Sequence, residues 1–140
     1  MIFVVAGLLS ALVCLLVHYE TLRFLSARVT KGPRTPRRRI VSIMIGIFVS
    51  HLLEVGIFAL GLWVSMSSSG RQLLNRDVEH NFLEALYISF ESYASLGSAE
   101  VFSFGPARLF CGIEAVSGLL LIGWTTAFTY WAMTELWRDH

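Results

Sequence analysis

The chain has 140 residues, 55% of them hydrophobic and only 15% charged, with a formal net charge of +1. Soluble domains usually carry roughly 25% charged residues, so the composition argues against a water-soluble globule, and the length suits one domain. No nucleophile–base–acid set, phosphate-binding glycine loop or cofactor motif stands out, which argues against an enzyme.

Residues 1–17, "MIFVVAGLLSALVCLLV", carry no charge. They lack the basic start and small-residue cleavage site of a signal peptide, so they predict a first transmembrane helix. Ser10 is its one polar side chain, which predicts a peripheral place in any assembly. Cys14 and Cys111 both fall inside apolar runs and read as buried thiols without a disulfide framework. Residues 18–39 follow as a basic loop, with seven of the eleven Lys and Arg packed into "RFLSARVTKGPRTPRRR". Between two apolar runs, such a segment reads as a cytoplasmic loop rather than a nucleic-acid site. That orientation puts the N-terminus outside and the tail, residues 135–140, in the cytoplasm.

Residues 40–66 are apolar apart from His51 and Glu54, and residues 108–134 are interrupted mainly by Arg108 and Glu114. All three runs approach or meet the roughly 17 to 25 residues that a membrane-crossing helix needs. Residues 82–93, "FLEALYISFESY", differ. Asn81 with Glu84 three positions on forms a capping-box pattern that starts a helix. At ~1.5 Å per residue, such a helix reaches only about 18 Å, too short to cross the ~30 Å hydrocarbon core. A half-span, a polar turn and another long helix predict a re-entrant hairpin covered by protein or a water-filled cavity. An amphipathic helix lying on the membrane surface is the alternative.

The segment "ISFESYASLGSAE", then Arg108 and Gly118, resembles the pore region of the two-helix potassium channels. "GIEAVSGLLLIGWTTAF" is similar to the inner helix of small bacterial members of that superfamily. The resemblance covers residues 40–134. It implies an all-α homotetramer in a bacterial plasma membrane, with outer helix 40–66, pore helix 82–93, filter 94–100 and inner helix 108–134. The first helix is an addition to that plan.

Carried over by position, Ala94, Ser95, Leu96, Gly97, Ser98, Ala99 and Glu100 stand where the family has T-T-V-G-Y-G-D. Glu91 matches a pore-helix glutamate that, in some members, pairs behind the filter with that last acid. Gly118 takes the hinge position, where a glycine allows close packing or bending of the helix, and Ile122, Thr126, Tyr130 and Thr134 take the cavity and gate positions. Ser98 for tyrosine removes an aromatic strut, and Ala99 for the second glycine disfavours the positive φ that turns outer carbonyls to the axis, at about 1–2 kcal/mol. The reading is therefore a passive conductor of monovalent cations, potassium or sodium, with weak or altered potassium selectivity. A ring of Glu100 carboxylates at the outer mouth would accept a divalent cation. A non-conducting pore-fold scaffold or regulatory subunit is the alternative.

Ionisable residues within membrane helices are functional candidates by default, which singles out His51, Glu54 and Glu114. His51 and Glu54 read as partners for Ser117, Trp124 or Thr125 of the last span, locking the helices, with a pH sensor as the alternative. A zinc site at the pair lacks further ligands, so no resident metal or cofactor is expected. Glu114 lies where the pore helix can satisfy it. Lipid, permeant ions and further copies of the chain are the expected partners, and nucleic acid is not.

Overall fold

The computed structural model describes residues 1–30, 35–69, 81–96 and 107–138. They form α1 (Ile2–Thr30), α2 (Pro36–Ser69), α3 (Phe82–Tyr93) and α4 (Ala107–Arg138). α1, α2 and α4 are each long and apolar enough to cross a membrane. At ~1.5 Å per residue the 29 residues of α1 extend about 43 Å, beyond the ~30 Å hydrocarbon core. Broad outer faces carrying Leu8, Leu12, Leu16, Ile45, Phe48 and Leu119 are exposed. Such faces suit lipid rather than water, as in an all-α integral membrane protein.

The last turns of α1 differ from the sequence reading. Residues 18–30, assigned to the basic loop, are helix. The apolar pattern does not stop at Val17: Leu22, Leu25 and Val29 recur at helical spacing and are buried against Ile43 and Ile47 of α2 and Ala132 and Leu136 of α4. Arg39 Nη1 donates to the Val29 carbonyl at 3.4 Å, satisfying one of the carbonyls a helix end leaves open. α2 starts where proline fits best, at the first helical position, with the Thr35 carbonyl accepting from the Arg38 and Arg39 amides. α3 has the predicted bounds, and α2 and α4 outrun theirs by one to four residues at each end.

α2 and α4 pack on each other, and both α1 and α3 pack on that pair. Among the described residues α1 and α3 do not pack on each other. One apolar core, around Phe58, Leu62, Ile88, Phe110 and Leu121, joins all four helices. The second, described above, closes the basic end. Between α1 and α2 the backbones approach closely: a Cβ on Gly61 would stand 2.5 Å from Ser10 Oγ.

Candidate functional site

α3 is built as a capped half-span. Asn81 sits in extended backbone and its side chain accepts from the Glu84 amide at 2.8 Å, holding the first turn. At the other end Ala94 is the C-cap, the Ser95 amide donates to the Ser92 carbonyl, and the Leu96 amide donates to the Glu91 carbonyl, both at 2.9 Å. This pair of bonds is a Schellman ending, whose left-handed position usually holds glycine. Here Ser95 takes it, with φ of 56°. Ala94, Ser95 and Leu96 are all exposed, so the candidate filter begins on an open surface beside the negative end of the α3 dipole. Gly97, Ser98, Ala99 and Glu100 lie outside the described residues.

Gly118 of α4 is buried directly under this helix end. A Cβ there would collide with the carbonyl oxygen of Tyr93, and would lie 3.0 and 3.2 Å from Tyr93 backbone carbons. Glycine is what lets α4 reach α3. Gly118 is thus a packing contact with α3, whereas Ile122, Thr126, Tyr130 and Thr134 are exposed along one stripe of α4. The Thr126 and Thr134 hydroxyls donate to the Ile122 and Tyr130 carbonyls at 2.9 Å, so neither is left unpaired in apolar surroundings. Glu114 is fully buried and takes one hydrogen bond, 3.4 Å from Ser89 Oγ of α3, which supplies the pore-helix partner expected for it. Among the described residues, its other oxygen and one oxygen of Glu91 are buried without a hydrogen-bond partner.

A second polar centre lies where the four helices meet. Glu54 of α2 is fully buried. Its Oε1 accepts from Ser50 Oγ at 2.9 Å and lies 2.8 Å from His18 Nδ1 of α1. Its Oε2 accepts from the Tyr93 hydroxyl of α3 and lies 3.2 Å from His51 Nδ1. His51 Nδ1 is also 2.8 Å from the Tyr93 oxygen. On their far sides the two imidazoles share Thr125 Oγ1 of α4, at 3.1 Å from His51 Nε2 and 3.2 Å from His18 Nε2. The Trp124 ring packs beside His18, 5.6 Å between centroids. Of the partners expected for His51 and Glu54, Thr125 is in the cluster, while Ser117 bonds its own helix at the Ile113 carbonyl.

His18 and Tyr93 were not singled out from the sequence. The sequence reading ends the first helix at Val17, one residue before His18. The leucine–leucine–valine repeat just beyond was the signal that the helix continued and that a buried histidine would ride on it. Tyr93 is the last residue of the short helix, and only the packing of α3 on α2 brings its hydroxyl to Glu54.

α3, short and capped at both ends, lies in the chain between two helices long enough to cross a membrane. The family model for ion channels matches residues 50–135, more than half of the chain, and the chain belongs to that ion channel family, with a potassium-channel-like domain of two transmembrane helices. The match begins at Ser50 and leaves α1, with His18, outside it. Neither a curated protein nor a solved structure matches the chain.

Proposed function

We propose that the chain assembles as a homotetramer with α4 innermost and passively conducts monovalent cations, potassium or sodium, through a pathway formed by residues 94–100 and the exposed stripe of α4. The observation that carries this reading is that stripe. Ile122, Thr126, Tyr130 and Thr134 are exposed along the face of α4 that the described helices leave open, and they lie on the helix that seats the end of α3. One chain supplies one re-entrant hairpin, so a central pathway ringed by carbonyls needs several copies. Weak or altered potassium selectivity follows from Ser98 and Ala99, and a divalent cation at the outer mouth from Glu100. The basic residues of 18–39 orient the chain with the N-terminus outside and the C-terminus in the cytoplasm of a bacterial plasma membrane.

Reconstitution into liposomes, with the oligomer mass measured in detergent, tests this. Potassium and sodium flux from a tetramer supports the proposal. A tetramer that passes neither ion is the non-conducting scaffold, the reading that the altered filter favours as runner-up. A monomer or dimer without flux overturns both.

A further inference from the structure

His18, His51 and Glu54 bring three potential ligand atoms within 4.8 Å of one another at the meeting point of the helices. The Tyr93 hydroxyl adds an oxygen against both His51 and Glu54. The hydrogen bonds of this cluster do not close with neutral histidines. A neutral imidazole has one N–H and one lone pair, and a hydroxyl has one hydrogen. If both ring hydrogens sit on Nδ1, two Nε2 lone pairs compete for the single Thr125 hydrogen. If both sit on Nε2, the Thr125 oxygen accepts both, and two Nδ1 lone pairs then face the carboxylate of Glu54. If the rings differ, either the His18 Nδ1 lone pair faces Glu54 Oε1, or the one Tyr93 hydrogen must serve both His51 Nδ1 and Glu54 Oε2. Each arrangement leaves at least one acceptor against an acceptor, and the cluster is short of one positive centre between the imidazoles and Glu54.

We propose that this centre is a divalent transition-metal ion of the zinc class, bound by His18 Nδ1, His51 Nδ1 and a Glu54 oxygen, with Tyr93 at the fourth position. Two imidazole nitrogens and a carboxylate oxygen in a compact, largely buried cluster are the ligand types of a two-histidine, one-carboxylate zinc site, and the Tyr93 oxygen brings the count to the four of tetrahedral coordination. The surroundings match as well. Ligating histidines ordinarily donate their other ring N–H to an outer partner, and here both Nε2 atoms converge on Thr125 while Ser50 holds Glu54. Bonds of about 2.0–2.2 Å place ligand atoms farther apart than the 2.8 Å between His18 and Glu54, so loading opens that contact by a few tenths of an ångström. The side chain of His51 is 20% exposed, which gives the ion a way in. The site is separate from the conduction path, and its binding can be read whether or not the protein conducts. His18 supplies the ligand whose absence counted against zinc in the sequence.

The test uses the full chain in detergent with any polyhistidine tag removed, stripped with a chelator and reloaded with Zn²⁺ or Co²⁺. One metal per chain, the intense visible absorption of tetrahedral Co²⁺ and a zinc-dependent rise in melting temperature are expected. Thr125→Val keeps every ligand but removes the outer partner, and should weaken Co²⁺ binding by roughly 10- to 100-fold. His18→Gln should abolish the visible spectrum. If that variant does not fold, wild-type loading and Thr125→Val decide. Substoichiometric metal at saturating zinc, a Co²⁺ spectrum that stays that of the hydrated ion, or unchanged affinity in Thr125→Val overturns the proposal. So does a melting temperature that responds to pH but not to zinc, which would make the missing centre a proton.

Discussion

Gly118→Ala adds one methyl group at the contact between α4 and the end of α3. The clash is with backbone, the carbonyl oxygen of Tyr93, so no side-chain rotation relieves it. Two effects oppose. Alanine is the better helix former by about 1 kcal/mol, whereas forcing a group into a filled space costs about 1–3 kcal/mol. Backbone collision puts this position at the upper end of that range, so the net loss should be about 1–2 kcal/mol. Gly56→Ala is the control, because a Cβ there meets nothing within 4 Å and only the gain in helix propensity remains. Thermal unfolding in detergent, followed by circular dichroism, should show Gly118→Ala melting several degrees below wild type and Gly56→Ala at or above it. Ion flux should fall in Gly118→Ala as well, since the displaced backbone leads directly into the candidate filter. If Gly118→Ala proves as stable as Gly56→Ala, the close approach of α4 to α3 is wrong.

In the same unfolding assay, Asn81→Ala should cost about 1 kcal/mol through loss of the α3 cap, and Asn81→Asp should restore it. Ser95→Gly should stabilise by about 1 kcal/mol, because Ser95 holds the left-handed position at φ of 56°. Ser98→Tyr combined with Ala99→Gly should shift the permeability ratio toward potassium in liposome flux; an unchanged ratio in an intact tetramer counts against the account of the altered filter. The two buried glutamates should part company. Glu54→Gln puts an amide among Ser50, Tyr93 and the histidines and should cost about 3–5 kcal/mol. Glu114→Gln keeps an oxygen that can accept the long bond from Ser89 and should stay within about 1 kcal/mol of wild type.

The sequence made the spans and the half-span legible because each is written in a local pattern. An uncharged run of sufficient length is a span whatever surrounds it, and Asn81 with Glu84 marks the start of α3 without any tertiary knowledge. His51 and Glu54 were legible for a similar reason, since ionisable groups inside an apolar run need partners. Their partners were not. Thr125 is one hydroxyl among several on α4, and Tyr93 and His18 join the cluster through crossings of helices distant in sequence. A helical glycine shows no direction by itself, so the sequence leaves Gly118 open between close packing and bending. Its role became visible only with the Tyr93 carbonyl in place above it.

The resemblance to the two-helix channels implies that an aromatic ring inside the filter braces it against the surrounding helices, and Ser98 removes that ring. The described residues hold the base of the segment by other means. Tyr93, directly before the C-cap of α3, is fastened at both ends: its hydroxyl bonds Glu54, and its carbonyl rests on Gly118. Glu54 is held in turn by His18 and Ser50, so the tie runs from the end of α3 through α2 into α1. A first helix that served only to anchor the chain in lipid would have no use for a buried histidine, whose desolvation is unfavourable unless it is paired. His18 is 1% exposed and paired with the residue that holds Tyr93. α1, although outside the family match, is therefore part of the mount on which the half-span stands, and its removal would loosen the base of the candidate filter along with the bundle.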